Sequence, residues 1–162
     1  MDASSHAARE FLRHTLAAVA YRGAKALRGA PPSFAEFRIG GSGRTSQQIL
    51  AHLGDLFDWA LSIARGQERW HEAAPLPWSK EVARFFAGLK SFDDYLASGE
   101  PLHGAAEKLF QGPVADALNN IGQIAMLRRL AGVPIRGENY FAADIVGGRV
   151  GAEQSAPKRE FD

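Results

Sequence analysis

Apolar residues recur at helical spacing in four long segments, and glycine or proline punctuates the gaps between them. Over 5–28, Ala8, Leu12, Thr15, Leu16, Val19, Gly23, Ala26 and Leu27 share one stripe. Arg9, Arg13 and Lys25 lie off it, and His14 lies opposite, where solvent is expected. Ser4 or Ser5 can cap the start, and Gly29 with Pro31-Pro32 ends the segment. Over 45–66, Ile49, His52, Leu53, Leu56, Trp59, Ala60 and Ile63 form the inward stripe. Thr45 and Gln48 have the spacing of a capping box, and Gly66 closes the helix. Over 79–97, with Ser79 as the cap, the inward residues are Val82, Phe85, Phe86, Leu89, Phe92 and Leu96. Asp93 shares that stripe and is read as lying at its frayed edge. Residues 102–110 form a short helical lead-in, and Gln111-Gly112-Pro113 turns into a last helix over 113–132. Pro113 suits a first turn, Arg128 and Arg129 suit a last turn, and Gly132 and Pro134 stop it.

That last helix is apolar almost all round, with Val114, Leu118, Ile121, Ile124 and Met126 on its flanks, which predicts a central position. A polar line nevertheless runs along it. Asp116, Asn120 and Gln123 share a wedge about 80° wide with Leu127 and Leu130. Polar groups in a core need partners. The candidate partner is His52, the one ionisable residue on the 45–66 stripe. A core histidine bonded to a neighbour and a histidine with a ligand or catalytic role both remain open from this pattern alone.

Two connectors carry other features. The 30–44 loop holds Phe34, Phe37 and the run Gly40-Gly41-Ser42-Gly43. Glycines before a helix can cradle a phosphate, but no G-x-x-x-x-G-K-[ST] spacing is present and no strand precedes the run. A flexible loop feeding a helix cap is the better account. In the 67–77 connector Trp70 is expected to pack locally and His71 to lie at the surface. After Gly132 no helical period remains. Residues 133–150, with Tyr140 and Phe141, read as an ordered tail packed over the helices, and 151–162 as a polar tail expected to be loose. The expected organisation is one domain over 1–150 followed by that tail.

Composition narrows the function classes. The 162 residues carry a net charge of +1 and no cysteine. There is thus no thiolate nucleophile, no thiolate metal site and no disulfide, and no basic face for nucleic acid. No apolar run reaches the ~20 residues of a membrane span, and the first ten residues lack a signal-peptide core. A cytoplasmic protein is expected.

Four amphipathic helices argue for an all-α bundle. The stretches I-L-A-H-L-G-D-L-F-D-W-A and A-D-A-L-N-N-I-G-Q-I-A-M-L-R-R-L-A-G resemble the DinB/YfiT-like superfamily over most of residues 1–135. The resemblance implies a DinB-like four-helix bundle with a long crossover, a non-helical C-terminal tail and a homodimer. It also implies a divalent-metal site of three ligands, usually all histidine: one on the second helix and two at H-x-x-x-H spacing on the last. Those positions fall on His52, Asp116 and Asn120, with Gln123 in support. Asp116 can still bind zinc, nickel or manganese. Asn120 offers a neutral amide and departs from the pattern, so a metal is expected to bind weakly or not at all.

Two functions follow. One is a degenerate metal site that has lost catalysis, with a small-molecule-binding or dimeric structural role. The other is a divalent-metal-dependent enzyme of the thiol-transferase or isomerase type, in which a metal lowers a thiol's pKa.

Overall fold

A computed structural model describes residues 3–162 and is mostly helical. The long helices are α1 (Ala3–Leu27), α2 (Ser46–Ala64), α3 (Trp78–Ala97) and α5 (Ala115–Leu130), with a single turn, α4 (Ala106–Leu109), before the last. Both α1 and α2 pack against α3 and α5. The sequence neighbours α1 and α2 therefore stand across the bundle from each other. The α1-to-α2 link and the α3-to-α5 link both join helices that are not neighbours in the bundle. Leu16, Val19, Leu50, Leu53, Phe57, Phe85, Leu89, Phe92 and Ile124 fill the centre with almost no exposure. Gly23 sets the approach of α1 to α3: a methyl group there would lie 2.7 Å from the Phe85 ring.

The α2 cap forms as its sequence predicts. Gln48 N–H donates to Thr45 Oγ1 at 3.2 Å, and Thr45 N–H donates to Gln48 Oε1 at 2.8 Å. Gly66 and Gly132 follow α2 and α5 in left-handed conformations at φ 72° and 75°. Helix α3 starts one residue earlier than expected. Pro77 holds extended backbone before it and no side chain caps it, so Ser79 is simply a first-turn residue.

The entry to α5 differs more. Gln111-Gly112-Pro113 does not form a turn. Residues Phe110–Val114 make a π-helical segment that joins α4 to α5 without a break, and the Ala115 N–H reaches the Phe110 carbonyl five residues back. Pro113 thus sits inside a helix. The wider turn takes up one extra residue where the proline has no N–H to give. Nor is α5 buried all round. Its core face is Ala117, Ile121, Ile124 and Leu127, while Met126 and Leu130 are more than half exposed.

After α5 the chain crosses back over α1. Gly137–Glu138 (β1) pairs antiparallel with Glu160–Phe161 (β2). The end of the segment expected to be loose is therefore hydrogen-bonded to the body. Glu160 accepts from Lys25 Nζ at 2.7 Å, and the same ammonium donates to buried Glu138 at 2.7 Å. Tyr21 donates its hydroxyl to Glu138 at 2.6 Å. Among the described residues no helix is long and apolar enough to cross a membrane.

Candidate functional site

The three residues singled out by the polar line and its facing histidine meet between α2 and α5. His52 Nε2 lies 3.2 Å from Asp116 Oδ2. Asn120 Nδ2 donates to Asp116 Oδ1 at 2.9 Å and to the Asp116 carbonyl at 2.8 Å. The i,i+4 spacing on α5 puts aspartate above asparagine on one face, and His52 reaches across from α2. Asn120 is buried, while His52 and Asp116 are partly open. Gln123 does not join them. It is exposed one turn further on and faces a groove.

Aromatic side chains wall the histidine. The Trp70 ring meets the His52 ring edge-on at 5.7 Å between centroids, and Trp59 meets Trp70 in the same way at 5.7 Å. Trp70 comes from the 67–77 connector, which has no regular structure but is tied down repeatedly. Arg69 N–H donates to Ser62 Oγ, Ala73 N–H to Asp55, and Leu76 N–H to Glu81 at 2.7 Å. The carboxylates of that set are held by Arg84, which donates to Asp55, to Asp58 at 2.8 Å, to Glu81 at 3.4 Å and to the Ala51 carbonyl. Burial pulls the Arg84 pKa down, but the hydrogen bonds to Asp55 and Asp58 outweigh it and hold the group above its ordinary value. His52, Gln48, Arg44 and Glu72 line a small pocket of about 130 Å³ beside this connector.

Comparison with family models finds no match, and neither do comparisons with curated proteins and with solved structures.

Other expected site residues lie elsewhere. Asp93 is not at a frayed edge. It is buried and paired with Arg13, whose Nε donates to it at 3.0 Å. Tyr140 packs edge-on against Tyr21, with Arg22 stacked 3.9 Å from its ring centre, well inside the tail contact. Phe141 is fully exposed. The first N–H groups of α2, after the glycine run, are not free for a phosphate. Thr45 and Gln48 use the cap donors on each other, and Ser46 and Gln47 N–H donate to the Phe37 and Ala35 carbonyls. No pattern in the sequence marks Trp70 or Arg84 as part of the site. Trp70 lies in a connector without period, and Arg84 falls between the apolar positions of α3.

Proposed function

We propose that this chain is a DinB-like bundle protein whose ancestral metal corner has become a metal-free hydrogen-bonded triad, and that it binds a small organic molecule rather than carrying out metal-dependent chemistry. The observation behind this is the use made of Asp116. One carboxylate oxygen faces His52 Nε2 and the other receives the Asn120 amide N–H. A divalent ion held by these three residues would need their lone pairs aimed at a common point. Here the third corner presents a donor, and the set contains one imidazole, one carboxylate and one amide. Zinc and nickel sites are built from imidazole, thiolate and carboxylate. The donor set therefore does not fit the ion that the resemblance implies. A hydrogen-bonded triad in a partly dry setting rigidifies its neighbours and presents a fixed polar edge.

The test is to titrate zinc, nickel and manganese into untagged protein by calorimetry, beside the variant Asn120→His. The wild type is expected to bind none of them more tightly than about 1 mM, a free energy of about 4 kcal/mol. The variant restores two histidines and a carboxylate, a set that catalytic zinc sites use, and is expected to gain at least a hundredfold in zinc affinity. Micromolar zinc binding by the wild type would overturn the reading.

A further inference from the structure

Next to the triad, on the other side of α2's first turn, lies a larger and more apolar space. A groove of about 740 Å³ runs between the 39–44 loop and the outer face of α5. Its size falls in the range of small-molecule sites. Ile39, Ile49, Leu118 and Met126 supply apolar walls, and Gly122 forms an open floor where an added methyl group would touch nothing within 4 Å. Gly43 shapes the rim: a methyl there would come within 2.7 Å of the Ile39 carbonyl, so the loop folds tightly and turns Ile39 outward.

Arg44 is the one charged residue lining this groove, and it also lines the small pocket that holds His52. Among the described residues its guanidinium has no ion pair or hydrogen bond. The backbone N–H groups at the start of α2 are committed to the cap and to the 35–37 carbonyls, which leaves Arg44 as the charged partner for an anion, beside the Asn119 and Gln123 amides that also line the groove. A monopolar acid with an apolar body matches this arrangement. A carboxylate can take two parallel hydrogen bonds from a guanidinium, while a chain or ring covers Leu118 and Met126. A second copy of this chain matches it less well. A two-fold contact would bring like surfaces together, with an unpaired cation on each side and no carboxylate among the lining residues.

We infer that the groove between the 39–44 loop and α5 is the binding site for an amphipathic monocarboxylate, an acyl or aryl acid whose carboxylate is held by Arg44. This rests on the small-molecule reading above and names the class of ligand, but it does not depend on whether the triad can hold a metal.

The experiment is calorimetry in EDTA with decanoate and decan-1-ol as probes, on the wild type, Arg44→Gln and Gly122→Leu. The wild type is expected to bind decanoate with a Kd on the order of 10–100 μM and decanol at least fivefold more weakly. Arg44→Gln is expected to weaken decanoate about tenfold and to leave decanol unchanged. Gly122→Leu fills open space on an exposed helix face, so it folds normally by circular dichroism and weakens both probes tenfold or more. Equal binding of acid and alcohol that ignores Arg44→Gln would mean mere adsorption on apolar surface and overturn the inference. So would no binding of decanoate below 1 mM. Sedimentation of the same proteins covers the other occupant: a wild-type dimer that Gly122→Leu splits would show the groove filled by a second copy and would also overturn it. Zinc binding by the wild type in the earlier titration would sink the metal-free triad and leave these outcomes untouched.

Discussion

The Arg84 guanidinium sits against three carboxylates, and two of them, Asp55 and Glu81, are shut away from water. Removing one partner of such a group costs far more than the net worth of the pair, because the remaining charges stay buried without compensation. Arg84→Met, which keeps much of the aliphatic stem, is therefore expected to lower the urea-unfolding free energy by about 3 kcal/mol. It is also expected to free the connector, so that the Ala73 and Leu76 amides, bonded to Asp55 and Glu81, exchange their hydrogens faster. A loss below about 0.5 kcal/mol would show that this cluster behaves as an ordinary surface ion pair. The residues that can be read in the sequence are those that interrupt an apolar stripe. His52 is conspicuous on α2 for that reason, and Asp116 and Asn120 are conspicuous on α5. Arg9, Arg13 and Lys25 are the contrary case. Each lies off the α1 stripe, yet Arg9 is buried and donates to the Leu96 and Glu100 carbonyls, and Arg13 and Lys25 hold acids 80 and 113 residues away. A long side chain can lay its stem along apolar surface and carry its charge to a distant partner, and the helical period does not record where that partner is.

At the scale of elements, the extents of α1, α2 and α3 follow from apolar period and from glycine or proline punctuation; a side-chain cap forms on α2, while α3 starts after Pro77 with none. The helix 106–130 is less legible because a proline inside a helix normally ends or kinks it. The π-helical turn over Phe110–Val114 reconciles the two. Its ladder already runs out of register, so the missing N–H of Pro113 and the bulk of its ring meet a wider turn. In a regular helix interior a proline costs ~3 kcal/mol, and replacing it with alanine would recover most of that. Here Pro113→Ala is expected to change stability by less than about 1 kcal/mol. Chemical denaturation of the two proteins decides it, and a gain of 2 kcal/mol or more would mean that the turn does not relieve the proline. The same turn keeps Leu109 fully buried while α5 directs Asp116 at His52, so a local irregularity holds core and site in phase.

Across the whole molecule, the tail is fastened to α1 by a cluster of ionisable groups, and its strength depends on pH from both sides. The hydrogen bond from Lys25 holds the Glu160 carboxyl below its ordinary value. Its contribution is present above the unfolded value of about 4.3 and is lost as pH falls through the lower folded value. Burial lowers the Lys25 pKa, but the bonds to Glu138 and Glu160 outweigh it and raise the group overall. Burial, and then the bond to Glu138, pushes the Tyr21 hydroxyl up. Both contributions are complete below their unfolded values of about 10, and are lost as pH rises through the folded ones. The tail is thus held most firmly between roughly pH 5 and pH 9. Glu160→Gln is expected to be less stable than the wild type at pH 7, with the two urea curves converging below about pH 4. A gap of the same size at pH 3 would rule out the Lys25–Glu160 bond as its cause. None of this could be read from 151–162 as a sequence, because two paired residues leave no period and the pairing partners lie far upstream.

That distance has a consequence for the order in which the molecule is made. Lys25 and Glu160 are 135 positions apart. At about 5–20 residues per second, a growing chain finishes α1 roughly 7–27 s before Glu160 exists to meet it. Helix α1 must make its first contacts without that bond. The tail contact is a latch that waits for the last residues to be made.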